Sequence, residues 1–141
     1  MRTAPQVWQR AIDRWPDGYA FLHQIDGDWK PVTYTEASEL VGAAAAGFRS
    51  LGVKKGDRVA ILARPTLEWT ISDWALLSLG AVVVPIYPTS STDDVTHVLA
   101  HSRAKAIVCE QVSDLERINA LRERLPDIEH RVLIEPAAAA P

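Results

Sequence analysis

Four short apolar runs recur at nearly even spacing in the second half of the chain. They begin at Arg58, Ala81, Lys105 and Arg131, separated by 23, 24 and 26 residues. The runs are Val59-Ala60-Ile61-Leu62, Val82-Val83-Val84-Pro85-Ile86, Ala106-Ile107-Val108-Cys109 and Val132-Leu133-Ile134. Each is β-branched and does not alternate with polar residues, the pattern of strands buried on both faces of a parallel sheet. Helical periodicity fills the gaps: residues 67–79 up to Gly80, residues 92–102 with Val95, Val98 and Leu99 on one face, and residues 114–125 up to Pro126-Asp127. Thr66, Ser91 or Thr92, and Ser113 stand where N-caps belong. Each strand–helix–strand stretch approaches the roughly 30 residues of a βαβ unit. Side chains do not match between the copies, so the spacing reflects a repeated unit rather than a repeated sequence. The alternation predicts an α/β fold, part of a parallel sheet with helices on both faces and right-handed crossovers.

A different organisation precedes Arg58. Pro5 suits a first helical turn, and Val7, Trp8, Ala11, Ile12 and Trp15 share one face. Pro16-Asp17-Gly18 stops that helix. Tyr19–Gln24 and Trp29–Tyr34 flank the turn signal Asp26-Gly27-Asp28, a short antiparallel hairpin, with Pro31 assigning its strand to an edge. Thr35 caps the next helix, along which Ala37, Leu40, Val41, Ala44, Phe48 and Leu51 recur. Gly52 ends it in a left-handed cap, and Gly56 makes a turn that needs positive φ. The expected units are therefore residues 1–57, residues 58–135 and a low-complexity tail at 136–141.

Composition excludes several classes. The chain has 141 residues, 48% hydrophobic and 23% charged, which fits one globular domain. Residues 1–70 carry nine basic and eight acidic side chains, which leaves six and ten for the remainder. Neither half has the basic stripe of a nucleic-acid binder. No apolar run approaches the roughly 20 residues of a membrane helix, and the N-terminus lacks a signal peptide's apolar core. Cys109 is the only cysteine, which excludes an internal disulfide and a Cys-based zinc site. The expectation is a soluble, cytoplasmic protein.

No catalytic constellation stands out among the residues. Gly52-Val53-Lys54-Lys55-Gly56-Asp57 precedes a strand and lacks the Walker and dinucleotide spacings. Thr89-Ser90-Ser91-Thr92 opens a helix, but Asp93 and Asp94 already place negative charge there, so it reads as a capped helix rather than a phosphate site. Asp93, His97 and His101 share a helical face opposite Val95, Val98 and Leu99, which reads as a solvated surface; no metal site is assigned. Cys109 lies in an apolar run beside Glu110 and reads as a core residue. Trp8 and Trp15 on the first helix, and Trp69 and Trp74 in the most apolar one, read as core packing. A response-regulator receiver fails because no acidic pocket or phosphorylatable Asp ends the strands.

Three stretches in register carry a resemblance. The first is Val32-Thr33-Tyr34-Thr35-Glu36, then an alanine-rich helix and Leu51-Gly52-Val53-Lys54-Lys55-Gly56-Asp57-Arg58-Val59-Ala60-Ile61-Leu62. The second runs from Glu68-Trp69 through Trp74 to Gly80-Ala81-Val82-Val83-Val84-Pro85-Ile86-Tyr87-Pro88-Thr89. The third is His97-Val98-Leu99-Ala100-His101-Ser102-Arg103-Ala104-Lys105-Ala106-Ile107-Val108. Together they resemble the N-terminal part of the AMP-forming acyl-CoA synthetases, in the adenylate-forming ligase superfamily. Pro85-Ile86-Tyr87-Pro88-Thr89 is most similar to the long-chain fatty acid branch. Arg64-Pro65-Thr66-Leu67 departs locally, since the family more often sets its proline beside the Glu-Trp pair.

The resemblance implies a ligase of fatty acid metabolism that uses ATP, Mg²⁺ and CoA: a carboxylate is adenylated, and CoA thiol then displaces AMP. The family's phosphate loop, its adenine and ribose motifs and the catalytic lysine of its C-terminal domain are not among these residues. No catalytic, cofactor-binding or metal residue is therefore carried over, and this chain alone is expected to be inactive. Its implied partner is the remainder of the ligase polypeptide, with fatty acid, ATP and CoA bound by the whole. The parent enzyme is expected in the cytoplasm, peripheral to membrane. Tyr87 and Thr89 follow a strand at the end where α/β sheets bind ligands and are expected at the rim of a substrate pocket. The alternative is a non-catalytic α/β interaction module that pairs with another chain or self-associates through an unfinished sheet.

Overall fold

The structure is a computed structural model that describes residues 3–134; Glu135 and the tail at 136–141 lie outside the described residues. Its elements are α1 (Ala4–Arg14), β1 (Tyr19–Ile25), β2 (Asp28–Thr33), α2 (Tyr34–Ser50), β3 (Arg58–Leu62) and α3 (Leu67–Ser78). They continue with β4 (Val82–Ile86), α4 (Thr92–Ser102), β5 (Ala106–Cys109), α5 (Val112–Ala120), a 3-10 turn (Arg122–Arg124) and β6 (His130–Leu133). β1 and β2 form an antiparallel hairpin, while the other strands form one parallel sheet in the order β4-β3-β5-β6.

The two inner strands explain the apolar runs. Val59 to Leu62 and Ala106 to Cys109 are fully buried, because each strand is covered on both faces. Val59, Ile61, Ala106 and Val108 point toward α2 and α3, packing with Val41, Phe48, Ala75 and Leu76. Ala60, Leu62, Ile107 and Cys109 point the other way, toward Val95 and Leu99 of α4 and Ile118 of α5. The sheet is thus the middle layer of three. Burial on both faces does not extend to β4, where Val82 is 49% exposed. β4 is an outer strand, and Pro85, which has no N–H to donate, sits opposite Ile61 there.

Helix termini depart from expectation in two places. The cap of α2 is Thr33 rather than Thr35. Thr33 Oγ1 accepts from the Glu36 N–H at 3.2 Å, and Glu36 returns a carboxylate oxygen to the Thr33 N–H at 2.8 Å. This reciprocal pair is a capping box, and it draws Tyr34 out of the strand and into the helix. Thr35 instead donates its hydroxyl to the Pro16 carbonyl at 3.0 Å, tying α2 to the turn after α1. Likewise α5 starts after Gln111, not Ser113, and a 3-10 turn replaces its last part. Thr66 and Ser91 do cap α3 and α4. Gly52 and Gly56 have φ of +79° and +86°, as the turn chemistry requires.

The N-terminal unit docks through aromatics. Trp8 stacks on Trp74 with ring centroids 4.8 Å apart, and lies 5.7 Å from Phe21 and 5.4 Å from Tyr34. Trp15 is not in the core: it is 55% exposed, with the Arg14 guanidinium 5.0 Å above its ring.

Candidate functional site at the carboxyl end of the sheet

The strand order makes one end of the sheet special. From β3 the chain crosses by α3 to β4 on one side, and from β5 it crosses by α5 to β6 on the other. α3 and α5 lie on opposite faces, so the loops after β3 and β5 diverge. Such a divergence leaves a crevice at the carboxyl ends of the strands, the place where open α/β sheets receive ligands.

A cleft of about 440 Å³ occupies that position, lined by Arg64, Thr66, Glu68, Glu110, Gln111, Val112, Leu133 and Ile134. A larger groove of about 1070 Å³ adjoins it, between the hairpin and the loop after β3, and shares Arg64, Thr66 and Glu68. Arg64 stands where the two meet.

Arg64 and Glu110 are joined across the crevice. The Arg64 N–H donates to Glu110 Oε2 at 2.8 Å, and its Nε donates to Glu110 Oε1 at 2.8 Å. Glu110 is only 12% exposed, whereas the arginine side chain is 68% exposed. The arginine hydrogen bond holds the Glu110 carboxyl below the usual carboxylate range, against the opposing effect of burial. The Glu110 N–H donates to the Leu62 carbonyl at 3.2 Å, extending the β3–β5 ladder up to the pair. The carboxylate is the buried acceptor, and the arginine is the solvent-facing member.

Residues singled out in the sequence fall elsewhere. Tyr87 and Thr89 follow β4 on the outer side of the sheet; Tyr87 is 80% exposed, and neither residue lines the cleft. The loop carrying them is held by the Ser90 N–H on the Tyr87 carbonyl at 3.0 Å and by Arg117 Nη1 on the Ser90 carbonyl at 3.3 Å. Cys109 is fully buried, and burial first, then the nearby Asp114 carboxylate, pushes its thiol up to about 12. It has none of the thiolate character a nucleophile needs. Among the described residues, no three or more His, Cys, Asp or Glu side chains gather as metal ligands would. Arg64 and Glu110 were not singled out in the sequence as a pair. The available signal was positional: each stands within two residues after an inner strand.

The opposite end of the sheet is stitched shut. Arg58 Nε donates to the Ser102 carbonyl at 2.9 Å and Lys105 Nζ to the Gly52 carbonyl at 2.9 Å. Lys105 also lies 3.3 Å from Asp57 and 3.9 Å from Glu129. No helix among the described residues is long and apolar enough to cross a membrane.

Comparison with known proteins gives consistent matches. The family described as AMP-binding enzyme matches residues 8–140. The long-chain-fatty-acid–CoA ligase FadD15 of Mycobacterium bovis is 40% identical over 139 residues, covering 99% of this chain and 23% of the relative. The Drosophila melanogaster long-chain-fatty-acid–CoA ligase heimdall is 31% identical over 129 residues, covering 89% of this chain and 19% of the relative. Among solved structures, the anthranilate CoA ligase AuaEII in complex with anthranoyl-AMP superposes with a TM-score of 0.83 at 26% identity, over 94% of this chain and 25% of that one. The chain therefore spans about a fifth to a quarter of the length of these relatives.

Proposed function

This chain belongs to the AMP-binding enzyme family, and from that premise we propose that it supplies the N-terminal portion of an ATP-dependent long-chain fatty acid–CoA ligase. The carrying observation is the match to FadD15 along 99% of the chain. In this reading the whole enzyme adenylates a fatty acid carboxylate and passes the acyl group to CoA, in the cytoplasm and peripheral to membrane. Residues 1–57 are its docking unit, and residues 58–135 carry part of its central sheet.

Adenylation needs cations against the developing phosphate charge. Arg64 is the one basic side chain lining the carboxyl-end cleft, and Glu110 already engages it. With Glu68 and Glu110 beside it, the cleft has a net negative lining, and no group of three or more metal-ligating side chains gathers among the described residues. These residues do not fit a triphosphate with its Mg²⁺ unaided, so no catalytic step is derived from them. The remainder of the ligase polypeptide is the proposed partner that brings the phosphate-binding groups, and the chain alone is inactive. Tyr87 and Thr89, exposed on the outer side of β4, are proposed to rim the substrate pocket once that remainder is in place.

The test is a chimaera in which this chain replaces the matching segment of Mycobacterium bovis FadD15. With palmitate, ATP and CoA, the chimaera is expected to form acyl-CoA, and the 141-residue chain alone to form none. A folded chimaera that makes no acyl-adenylate overturns the assignment. Acyl-CoA formation by the isolated chain overturns its inactivity.

A further inference from the structure

The histidine pair of α4 plays no part in the reading above. His97 and His101 lie one turn apart, both exposed, with their rings nearly parallel at 17° and their centroids 5.7 Å apart. The opposite side of the helix is fixed in the core by fully buried Val95 and almost fully buried Leu99. The last turn is fixed as well, because Arg58 donates to the carbonyls of Ser102 at 2.9 Å and Arg103 at 3.3 Å. The backbone under the pair is therefore fixed, but the stacked rings hold their in-plane lone pairs side by side, so sharing one ion requires the exposed side chains to turn about χ1 and χ2 from the positions they hold here. Imidazoles at i and i+4 on one helical face can each give a nitrogen to the same borderline metal ion.

We propose that His97 and His101 chelate a divalent transition-metal ion on the solvent face of α4, with water completing its coordination. No third His, Cys, Asp or Glu joins them among the described residues, so the site is open, unlike a closed structural zinc centre. The helix holds the second imidazole at a high effective concentration once the first has bound. The unfolded chain does not, so the ion favours the folded state.

The test uses zinc chloride as the probe on the 141-residue chain. The ring signals of all four histidines are followed by NMR, with His23 and His130 as internal controls, and thermal unfolding is measured in parallel. The expected result is that His97 and His101 shift together with one midpoint and one zinc per chain, while the unfolding temperature rises. His97→Gln and His101→Gln, both at exposed positions, should each weaken binding by about tenfold or more and remove the thermal shift. Equal responses from all four histidines, no response at millimolar zinc, or unchanged binding by either variant overturns the site.

Discussion

Glu110 holds Arg64 at both its backbone and its side chain, with the Arg64 N–H and Nε each 2.8 Å from one of the two carboxylate oxygens. One carboxylate thereby fastens the loop after β3 to the end of β5 at the point where the chain's crossovers diverge. Glu110→Gln keeps the size and removes the charge. The expected loss is about 1 kcal/mol near neutral pH, modest because solvent screens the exposed arginine. The Glu110 carboxyl is held below 4.5 in the folded state. Its stabilisation is therefore present above the ordinary carboxyl range and is lost as pH falls through the lower folded value. Thermal unfolding of the parent and variant should differ at pH 7 and converge well below pH 4.5. A gap that persists unchanged in acid would contradict the assignment.

Cys109 should be inert while the protein is folded. Its thiol is buried and pushed up to about 12, so almost no thiolate is present at pH 8. A disulfide reagent such as dithiobis-nitrobenzoate is expected to react with less than one equivalent over hours in buffer, and with one equivalent at once in guanidinium. Rapid reaction of the native protein would show that the core opens readily around β5.

The two threonines before α2 should separate cleanly. Thr33→Ala removes the cap of a 17-residue helix and is expected to cost about 1 kcal/mol. Thr35→Ala removes only an exposed bond to the Pro16 carbonyl and should cost less. Urea unfolding of the two variants measures the order, and the reverse order would mean that the helix starts at Thr35.

Trp8 is the anchor of α1. No α1 residue is fully buried, so the helix depends on the contacts of Trp8 with Trp74, Phe21 and Tyr34. Aromatic pairs of this kind contribute about 0.5–1.5 kcal/mol each. Trp8→Ala should release α1 while leaving the sheet folded. Hydrogen exchange is expected to speed up across residues 4–14 and to stay slow in β3 and β5.

The parallel sheet was legible because its inner strands must be apolar throughout, which leaves a mark on every residue of Val59–Leu62 and Ala106–Cys109. The outer position of β4 carried its own sign in Pro85, which sits where an interior strand would lose a ladder bond. The start of α2 was harder. Thr33 and Thr35 are both good caps, and Glu36 reads equally as a first-turn acid or as the third residue of a capping box. The Arg64–Glu110 pair was least legible, since its partners lie 46 residues apart and meet only after β3 and β5 align. Tertiary pairing of this sort has no local signature.

The amino end of the sheet bears on how such chains tolerate recombination. Besides the Asp57 and Glu129 carboxylates near Lys105, Arg58 and Lys105 reach across 44 and 53 residues to the main-chain oxygens of Ser102 and Gly52. A carbonyl is supplied by whatever residue occupies the position. Segments exchanged between relatives therefore need to inherit only one member of each of these two contacts, the arginine or the lysine. Shuffling that keeps Arg58, Lys105 and Asp57 can vary Gly47–Leu51 and Leu99–Ser102 with the stitching intact, provided Gly52 keeps the turn.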